Sequence, residues 1–283
     1  MSGKGGERGE RKMETGIAAV EKVGGRSTVT RCFSKYPLKL IVPNKVGSSK
    51  TDAVWIYTLS YGGGIVSGDR ISLSIGVGDG CTAAVTTQAS TKVYKSVDSK
   101  CSEQVLEARI GRNALLAVIP DPVTCFSTAS GRHESGEKWE FELYRSTNQI
   151  FLEEDQPLFL DSVLLEQAST CSIAERMQEY HVIAMVIILG PMLKHVQNQV
   201  QDEVKKMMSR HFRVPTPTAG HYMRSESQSG PTRPALVASC SAFGPQAIGV
   251  VVRIAAVTTE SVYMFLRHHL ATLEPFLGVI PYG

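Results

Sequence analysis

The fold class is decided by one short stretch, Ile71-Ser-Leu-Ser-Ile-Gly-Val77, and by the Gly78-Asp-Gly80 that follows it. Large apolar residues alternate with small ones along the first part, which is typical of a β-strand with one buried face. Glycine tolerates a positive φ and aspartate bonds its own backbone, so the second part predicts a turn. A further apolar segment starts at Ala83. The stretch therefore predicts two successive strands joined by a tight turn.

The same pattern continues on both sides of this stretch. Short apolar runs separated by Gly, Pro, Asp and Ser extend from about residue 32 to residue 189. Two later segments have helical spacing instead, one that starts at Pro191 and one over residues 260–273, which Thr259 is able to cap. The sequence therefore predicts a mainly β protein with about two α-helices.

Composition also suggests the limits of the folded part. Residues 1–26 are Gly-rich and charged with few large apolar residues, which predicts a disordered tail. Residues 215–234 are rich in Pro, Ser, Thr and Gly and longer than an ordinary loop, which predicts a mobile excursion. We therefore expect a single β domain over residues 27–283 that carries a mobile loop at 215–234.

Charge and apolar content exclude several classes of protein. Lys and Arg (30) nearly balance Asp and Glu (27), which argues against nucleic acid as a partner. The longest apolar run, Val182 to Leu189, is too short to span a membrane. The N-terminus lacks a secretory pattern, and the six cysteines form no Cys-x-x-Cys pair. We expect a cytoplasmic protein with scattered buried thiols and no membrane partner.

General catalytic and metal-binding motifs are incomplete in this chain. Gly63 and Gly68 have the spacing of a phosphate-binding loop, but Asp69 stands where a lysine should meet the phosphates. His133-Glu134 lacks the second histidine of a zinc-protease motif, and no Gly-x-Ser-x-Gly elbow occurs. His269 shares the apolar face of the second predicted helix, which is more typical of a core histidine than of a ligand.

A longer segment is more specific than any of these motifs. It runs from Tyr61-Gly-Gly-Gly-Ile-Val-Ser-Gly-Asp-Arg70 through the strand to Ala84-Val-Thr-Thr-Gln-Ala-Ser-Thr-Lys-Val-Tyr-Lys-Ser96. This segment closely resembles the urease accessory protein D family, UreD, which is called UreH in some bacteria. The resemblance is good over about residues 36–190 and weak over the last fifty. Supporting matches in chain order are Tyr36-Pro-Leu-Lys-Leu40, Ile119-Pro-Asp-Pro-Val123, Gly136-Glu137 with Trp139, Gln156-Pro-Leu158 and Leu189-Gly-Pro-Met192.

The resemblance implies both a fold and a role. The fold would be an extended helical stack of β-strands, solenoid-like or two-layered. The protein would be a chaperone rather than an enzyme, binding apo-urease together with UreF and the GTPase UreG. It would help to pass Ni²⁺ to the urease active site, holding nickel only transiently and keeping no tightly bound cofactor.

The segment also supplies the candidate site. A partner or transit surface is expected from Gly63, Gly64, Gly68, Asp69, Arg70, Thr86, Thr87, Gln88, Lys92 and Tyr94. A metal path must bind weakly, through carboxylates, hydroxyls and water, so Asp69 and Asp121 are the transit candidates. The alternative is that these polar residues only satisfy buried backbone groups in the stack. Both interpretations stay open on the sequence alone.

The chain departs from the family pattern at one place. Phe126-Ser-Thr-Ala129 joins Ser130-Gly-Arg132 directly, where family members carry more β-structure. At least one rung of the stack is therefore expected to be missing, and lower stability than in a full-length relative is predicted. Two alternative functions remain: a carbohydrate enzyme that uses Asp121 or Glu153 to Asp155, and a binding scaffold that lost its role with the rung.

Overall fold

A computed structural model describes residues 14–44, 51–94, 100–125, 143–152, 156–166, 177, 179–211 and 234–283. The chain divides into two compact units where the sequence predicted one domain over 27–283. Unit 1 comprises residues 1–132 with 273–280, and unit 2 comprises residues 133–272 with 281–283. The predicted mobile loop at 215–234 lies outside the described residues except for Pro234.

The described elements are sixteen strands and three α-helices. The strands are β1 Gly16–Val23, β2 Arg26–Ser34, β3 Leu38–Ile41, β4 Val54–Ser60, β5 Gly64–Ile65, β6 Arg70–Val77, β7 Thr82–Thr87, β8 Thr91–Val93, β9 Glu103–Ile110, β10 Leu115–Val118, β11 Val123–Cys125, β12 Leu143–Leu152, β13 Gln156–Glu166, β14 Val182–Leu189, β15 Leu236–Phe243 and β16 Gly249–Ala256. The helices are α1 Lys194–His211, α2 Thr259–Leu270 and the short α3 Glu274–Leu277.

The strands of unit 1 form three sheets, in the orders β2-β1-β6-β9, β10-β7-β4-β3 and β11-β8-β5. From β4 to β11, successive strands add to the three sheets in a repeating order. Each strand from β4 to β8 therefore pairs in parallel with the strand three places later in the chain. The strand after β11 in this order would extend the first sheet beyond β9. The part of the chain that the structure describes holds no such strand, and β9 leaves Leu106 and Ile110 exposed.

The alternating pattern of the deciding stretch is confirmed in β6. Ile71, Leu73, Ile75 and Val77 are buried, while the residues between them are only half-buried. These four side chains join the main hydrophobic cluster of unit 1. The turn at Gly78–Gly80 is present, with Gly80 at a φ of 67°.

The predicted disordered tail over residues 1–26 is wrong where the structure describes it. Gly16–Val23 forms β1, which pairs antiparallel with β2 and parallel with β6. Ala18 and Val20 are buried. The local composition is Gly-rich and charged, and what makes this segment a strand is burial against β6, which lies some fifty residues later. Residues 1–13 lie outside the described part.

Unit 2 is built from antiparallel sheets and the two longer helices. β12 pairs with β13, and β14 and β15 both pair with β16. Helix α1 buries Val196, Val200 and Val204, and it contacts β15. The buried Gln197 side chain donates to the carbonyl oxygens of Gly190 (3.0 Å) and Ile248 (2.9 Å), which ties α1 to the connections around β14 and β16.

The two predicted helices are confirmed with small changes at their starts. Pro191 begins a 3-10 turn, and α1 follows from Lys194. Thr258 rather than Thr259 caps α2, because its side chain accepts a hydrogen bond from the Ser261 amide at 3.2 Å.

The mainly β class with two longer helices is thus confirmed, but the extended helical stack is not. The reason is unit 2, whose antiparallel sheets lack the parallel order of unit 1. The expectation of buried thiols holds for Cys81, whereas Cys32 and Cys101 are exposed. In the described residues, no helix has both the length and the apolar character that crossing a membrane requires.

Candidate functional site

The glycine-rich turn after β4 positions the candidate site in unit 1. Tyr61–Gly63 forms a 3-10 turn in which Gly62 and Gly63 have φ angles of 74° and 77°. These left-handed angles favour glycine over residues with a Cβ. The Tyr61 amide donates to the Pro37 carbonyl at 2.9 Å, which fixes the start of the turn.

Gly64 is required by a close approach between two strands. A Cβ at this position would lie 2.5 Å from the Lys92 carbonyl oxygen and 2.8 Å from the Tyr94 ring. The approach arises because β5 pairs in parallel with β8, with Gly64 opposite Lys92. The Tyr94 amide donates to the Ile65 carbonyl at 2.9 Å. Gly64 therefore brings the predicted residues Lys92 and Tyr94 beside the turn.

Three exposed tyrosines surround this turn. Tyr36, Tyr61 and Tyr94 are 66%, 50% and 42% exposed, and the Tyr36 and Tyr61 ring centroids lie 5.9 Å apart. We call the surface formed by these three tyrosines with Gly62 and Gly63 the tyrosine surface. Tyr36 and Tyr61 were absent from the predicted site residues. Their signal in the sequence is an aromatic residue directly before a proline or a glycine run.

Asp69 closes the next turn. Its amide donates to the Val66 carbonyl, and its carboxylate accepts from the Val66 amide, both at 3.0 Å. Gly68, with a φ of 85°, completes the turn, and the Asp69 carbonyl accepts from the Glu103 amide at 2.9 Å. Arg70 follows as the exposed first residue of β6. One function of Asp69 is therefore to lock the connection between β5 and β6.

Thr87 and Asp121 form a reciprocal pair. The Thr87 hydroxyl donates to Asp121 Oδ2 at 3.1 Å, and the Asp121 amide donates to Thr87 Oγ1 at 2.8 Å. The neighbouring Thr86 hydroxyl donates to the Ile119 carbonyl at 2.9 Å, and the Gln88 amide donates to the Thr58 carbonyl at 3.2 Å. For Thr86 this arrangement supports the structural alternative, since its hydroxyl satisfies a backbone carbonyl.

The structure does not join the two transit candidates into one ligand set. Asp69 is bound within its own turn, and Asp121 is bound to Thr87 at the end of β7. Across the described ranges, neither belongs to a group of three acidic, histidine or cysteine side chains whose ligand atoms lie close together. A role of Asp69 and Asp121 in moving a metal ion stays a prediction.

Comparisons with known proteins agree with the resemblance of the motif segment. The family model described as "UreD urease accessory protein" matches residues 14–130 and 127–281. The "Urease accessory protein D" of Oryza sativa subsp. indica is 62% identical over 291 residues, which cover 95% of each chain. That of Arabidopsis thaliana is 57% identical over 294 residues, which cover 96% of this chain and 100% of the relative. A bacterial "Urease accessory protein UreD", from Anaeromyxobacter sp., is 29% identical over 97% of this chain and 92% of its own length.

The family match is interrupted where a rung was expected to be missing. Its two segments meet at residues 127–130, the position at which Ala129 joins Ser130. Strand β11 ends at Cys125, and residues 126–142, which follow it, lie outside the described part of the chain. The missing rung stays a prediction, and the interruption of the family match is the observation in its favour.

Proposed function

The chain belongs to the UreD family of urease accessory proteins, and from this premise we propose that it binds apo-urease together with UreF and the GTPase UreG and helps to deliver Ni²⁺ to the urease active site. The family places the protein in urease maturation, and its relatives are named as accessory proteins rather than as enzymes. The three partners and the nickel delivery are our proposal.

The observation that carries the proposal is the position of the tyrosine surface. Tyr61 and Tyr94 lie within the segment that resembles the family most closely, and Tyr36 belongs to a second matching stretch, residues 36–40. The turn beside these tyrosines is held by Gly62, Gly63 and Gly64. Exposed tyrosines are typical anchors of protein interfaces, because they bury a large area with few rotatable bonds. We therefore assign partner binding to this surface.

Nickel transit is assigned to Asp69 and Asp121. Each carboxylate already accepts a hydrogen bond from the fold, Asp69 from the Val66 amide and Asp121 from the Thr87 hydroxyl. A carboxylate engaged in this way would hold a divalent ion loosely and release it readily. Nickel is the cargo in this scheme, and no resident metal is required.

A reconstitution experiment tests the function as a whole. The chain is co-expressed with UreF, UreG and apo-urease, Ni²⁺ and GTP are supplied, and urea hydrolysis is measured against a sample that lacks the chain. Activation that depends on the chain supports the proposal. A complex that forms without activation would favour an inactive scaffold variant, the alternative suggested by the interrupted family match.

Substitutions separate nickel transit from folding. Asp69→Asn and Asp121→Asn keep an oxygen that accepts the local hydrogen bond and remove only the charge. We expect lower nickel activation with unchanged complex assembly. Asp79→Asn is the matched control, because the Asp79 carboxylate accepts from the Arg112 amide at 2.8 Å in another turn of unit 1. Loss of assembly in the first two variants would show that these carboxylates are structural.

A second pair of variants tests the tyrosine surface. Tyr36→Ser and Tyr61→Ser should weaken capture of the partners. Ile110→Ser should not, although Ile110 at 52% is about as exposed as Tyr61. If all three variants capture the partners as well as the wild type does, the tyrosine surface is not part of the interface.

A further inference from the structure

Helices α1 and α2 of unit 2 bring three side chains with metal-ligating atoms together. Glu203 lies on α1 beside the buried Val204, and His268 and His269 are consecutive residues near the end of α2. His269 belongs to the buried face of α2, as the sequence indicated, and its ring packs on Phe265 at a centroid distance of 4.1 Å. The glutamate that meets it comes from a helix more than fifty residues earlier.

The three ligand atoms have the spacing of a metal site. Glu203 Oε2 lies 2.7 Å from His269 Nδ1 and 3.4 Å from His268 Nε2. All three atoms lie within 4.8 Å of one another. Ligands about 2.1 Å from a divalent ion lie about 3.0 to 3.4 Å apart in octahedral or tetrahedral sites. The distance from Glu203 to His268 fits this range, and the Glu203 and His269 atoms would move apart from 2.7 Å to about 3.0 Å to admit the ion.

A second observation is that two of the ligand atoms are buried and face each other. Glu203 Oε2 and His269 Nδ1 lie 2.7 Å apart, and each is shielded from solvent. Buried polar atoms need a partner because leaving them unsatisfied is costly. One cation bound by both atoms would replace the contact between them and keep both satisfied.

We propose that Glu203, His268 and His269 bind one divalent transition-metal ion of the Zn²⁺ or Ni²⁺ class at this position in unit 2. Two imidazoles and one carboxylate are donors that suit these ions. Water fills the remaining coordination positions, since the cluster lines an open cavity of about 340 Å³. This site does not rest on the proposed nickel delivery, because Asp69 and Asp121 belong to unit 1.

One further feature bears on the strength of binding. Lys206 and Arg210 line the same cavity, and their positive charges weaken the binding of a cation. The ion is therefore held exchangeably rather than permanently.

Metal binding is measured on the untagged full-length chain after chelator treatment. Zn²⁺ and Ni²⁺ are titrated in competition with a chromophoric chelator, and circular dichroism checks that each variant is folded. We expect one equivalent to bind. His268→Ala and Glu203→Gln should each weaken binding at least about tenfold, because even the outer-shell partners of a metal contribute about 10- to 100-fold. His268 is 73% exposed on its side chain, so its removal leaves the core intact.

Two control variants and one variant that is expected to bind the ion more tightly complete the experiment. His181→Ala and His195→Ala, two exposed histidines of unit 2, should bind like the wild type. Lys206→Gln should bind the ion more tightly, because a repelling charge is removed. Unchanged affinity in His268→Ala and Glu203→Gln, equal losses in the two controls, or weaker binding by Lys206→Gln would each overturn the proposal. None of these measurements involves urease, so failure of nickel delivery would leave the result intact.

Discussion

Unit 1 and unit 2 bury their apolar residues through different kinds of strand pairing. In unit 1 most neighbouring strands are parallel and lie three places apart in the chain, as β4 and β7 do. In unit 2 every described pair is antiparallel, and helices α1 and α2 supply part of the core. The comparison teaches that unit 1 depends on repetition of one strand order, whereas unit 2 depends on contacts between unlike elements.

The largest effects are expected from one substitution made in both units. Ile56→Ala and Ile254→Ala each remove a side chain that is almost completely buried, 0% and 1% exposed, and each should cost about 2–5 kcal/mol of unfolding free energy. With Trp139 replaced by Phe, Trp55 is the only tryptophan and reports on unit 1. Denaturant unfolding is followed by tryptophan fluorescence and by circular dichroism.

Ile56→Ala should move the Trp55 transition more than Ile254→Ala does. Equal shifts of both signals in both variants would show that the two units unfold in a single cooperative transition. The units would then not differ in their unfolding free energies.

The next effect concerns the rung that the sequence predicts to be missing after Ala129. A relative whose family match is uninterrupted should melt at least about 3 °C higher than this chain, since about 1 kcal/mol shifts the melting temperature of a domain this size by about 2–4 °C. The reason is that the rung predicted to be missing would otherwise bury the faces of its neighbours. Calorimetry under identical conditions provides the comparison. Equal melting temperatures would mean that the chain has repaired the gap.

Gly64 tests how closely the strands of unit 1 approach each other. Gly64→Ala should destabilise by about 1–3 kcal/mol, because the new Cβ meets the Lys92 carbonyl oxygen. Gly76→Ala is the control, since a Cβ there meets nothing within 4 Å. The midpoints of urea denaturation are compared. Equal effects of the two substitutions would contradict the close approach of β5 and β8.

Gln197 provides the corresponding test in unit 2. Gln197→Ala removes two hydrogen bonds of a buried side chain, worth about 0.5–1.5 kcal/mol each, and should cost about 1–3 kcal/mol. The Gly190 and Ile248 carbonyls keep their backbone donors, the amides of Leu193 and Gly190. Asn198→Ala, at the next and exposed position of α1, should change stability by less than about 0.5 kcal/mol. A neutral Gln197→Ala would show that packing of α1, and not its polar anchor, holds this part of unit 2.

The smallest effect is a pH dependence that belongs to unit 1. Partial burial raises the pKa of Asp52, but hydrogen bonds from Lys22 and Ser27 outweigh it and lower the pKa to about 2 from 3.8. A lowered pKa stabilises the fold above pH 4, and this contribution is lost as the pH falls from about 4 to about 2.

Asp52→Asn should therefore flatten the stability profile between pH 4 and pH 2, by less than about 1 kcal/mol because the carboxylate is partly exposed to solvent. Asp202→Asn, an exposed position of unit 2, should leave the profile unchanged. An unaltered slope in Asp52→Asn would assign the acid sensitivity to other carboxylates. Stability is measured by urea unfolding at each pH.

Sequence patterns predicted the parts of the fold whose signal is local. The alternation in β6, the helical spacing of α1 and α2 and the glycine turn after β4 each lie within one segment, and each was found. The prediction failed for β1, whose Gly-rich, charged surroundings resemble those of a disordered tail.

The candidate site was predicted only in part for the same reason. Gly64 and Tyr94 belong to a recognisable segment, and the structure places them together. Tyr36 is separated from that segment in the chain and joins it only through the pairing of β3 with β4. Because Tyr36 lies far from that segment in the sequence, its position on the tyrosine surface was not predicted.

The sequence by itself determined the β class, the two amphipathic helices and the UreD family, because periodicity and family segments are properties of neighbouring residues. Only the tertiary structure decided that residues 16–23 form a strand, that Thr87 hydrogen-bonds to Asp121 and that Glu203 contacts His269. Each of these contacts joins segments far apart in the chain. The free energy that orders them comes from burial and pairing across the fold, which no local pattern records.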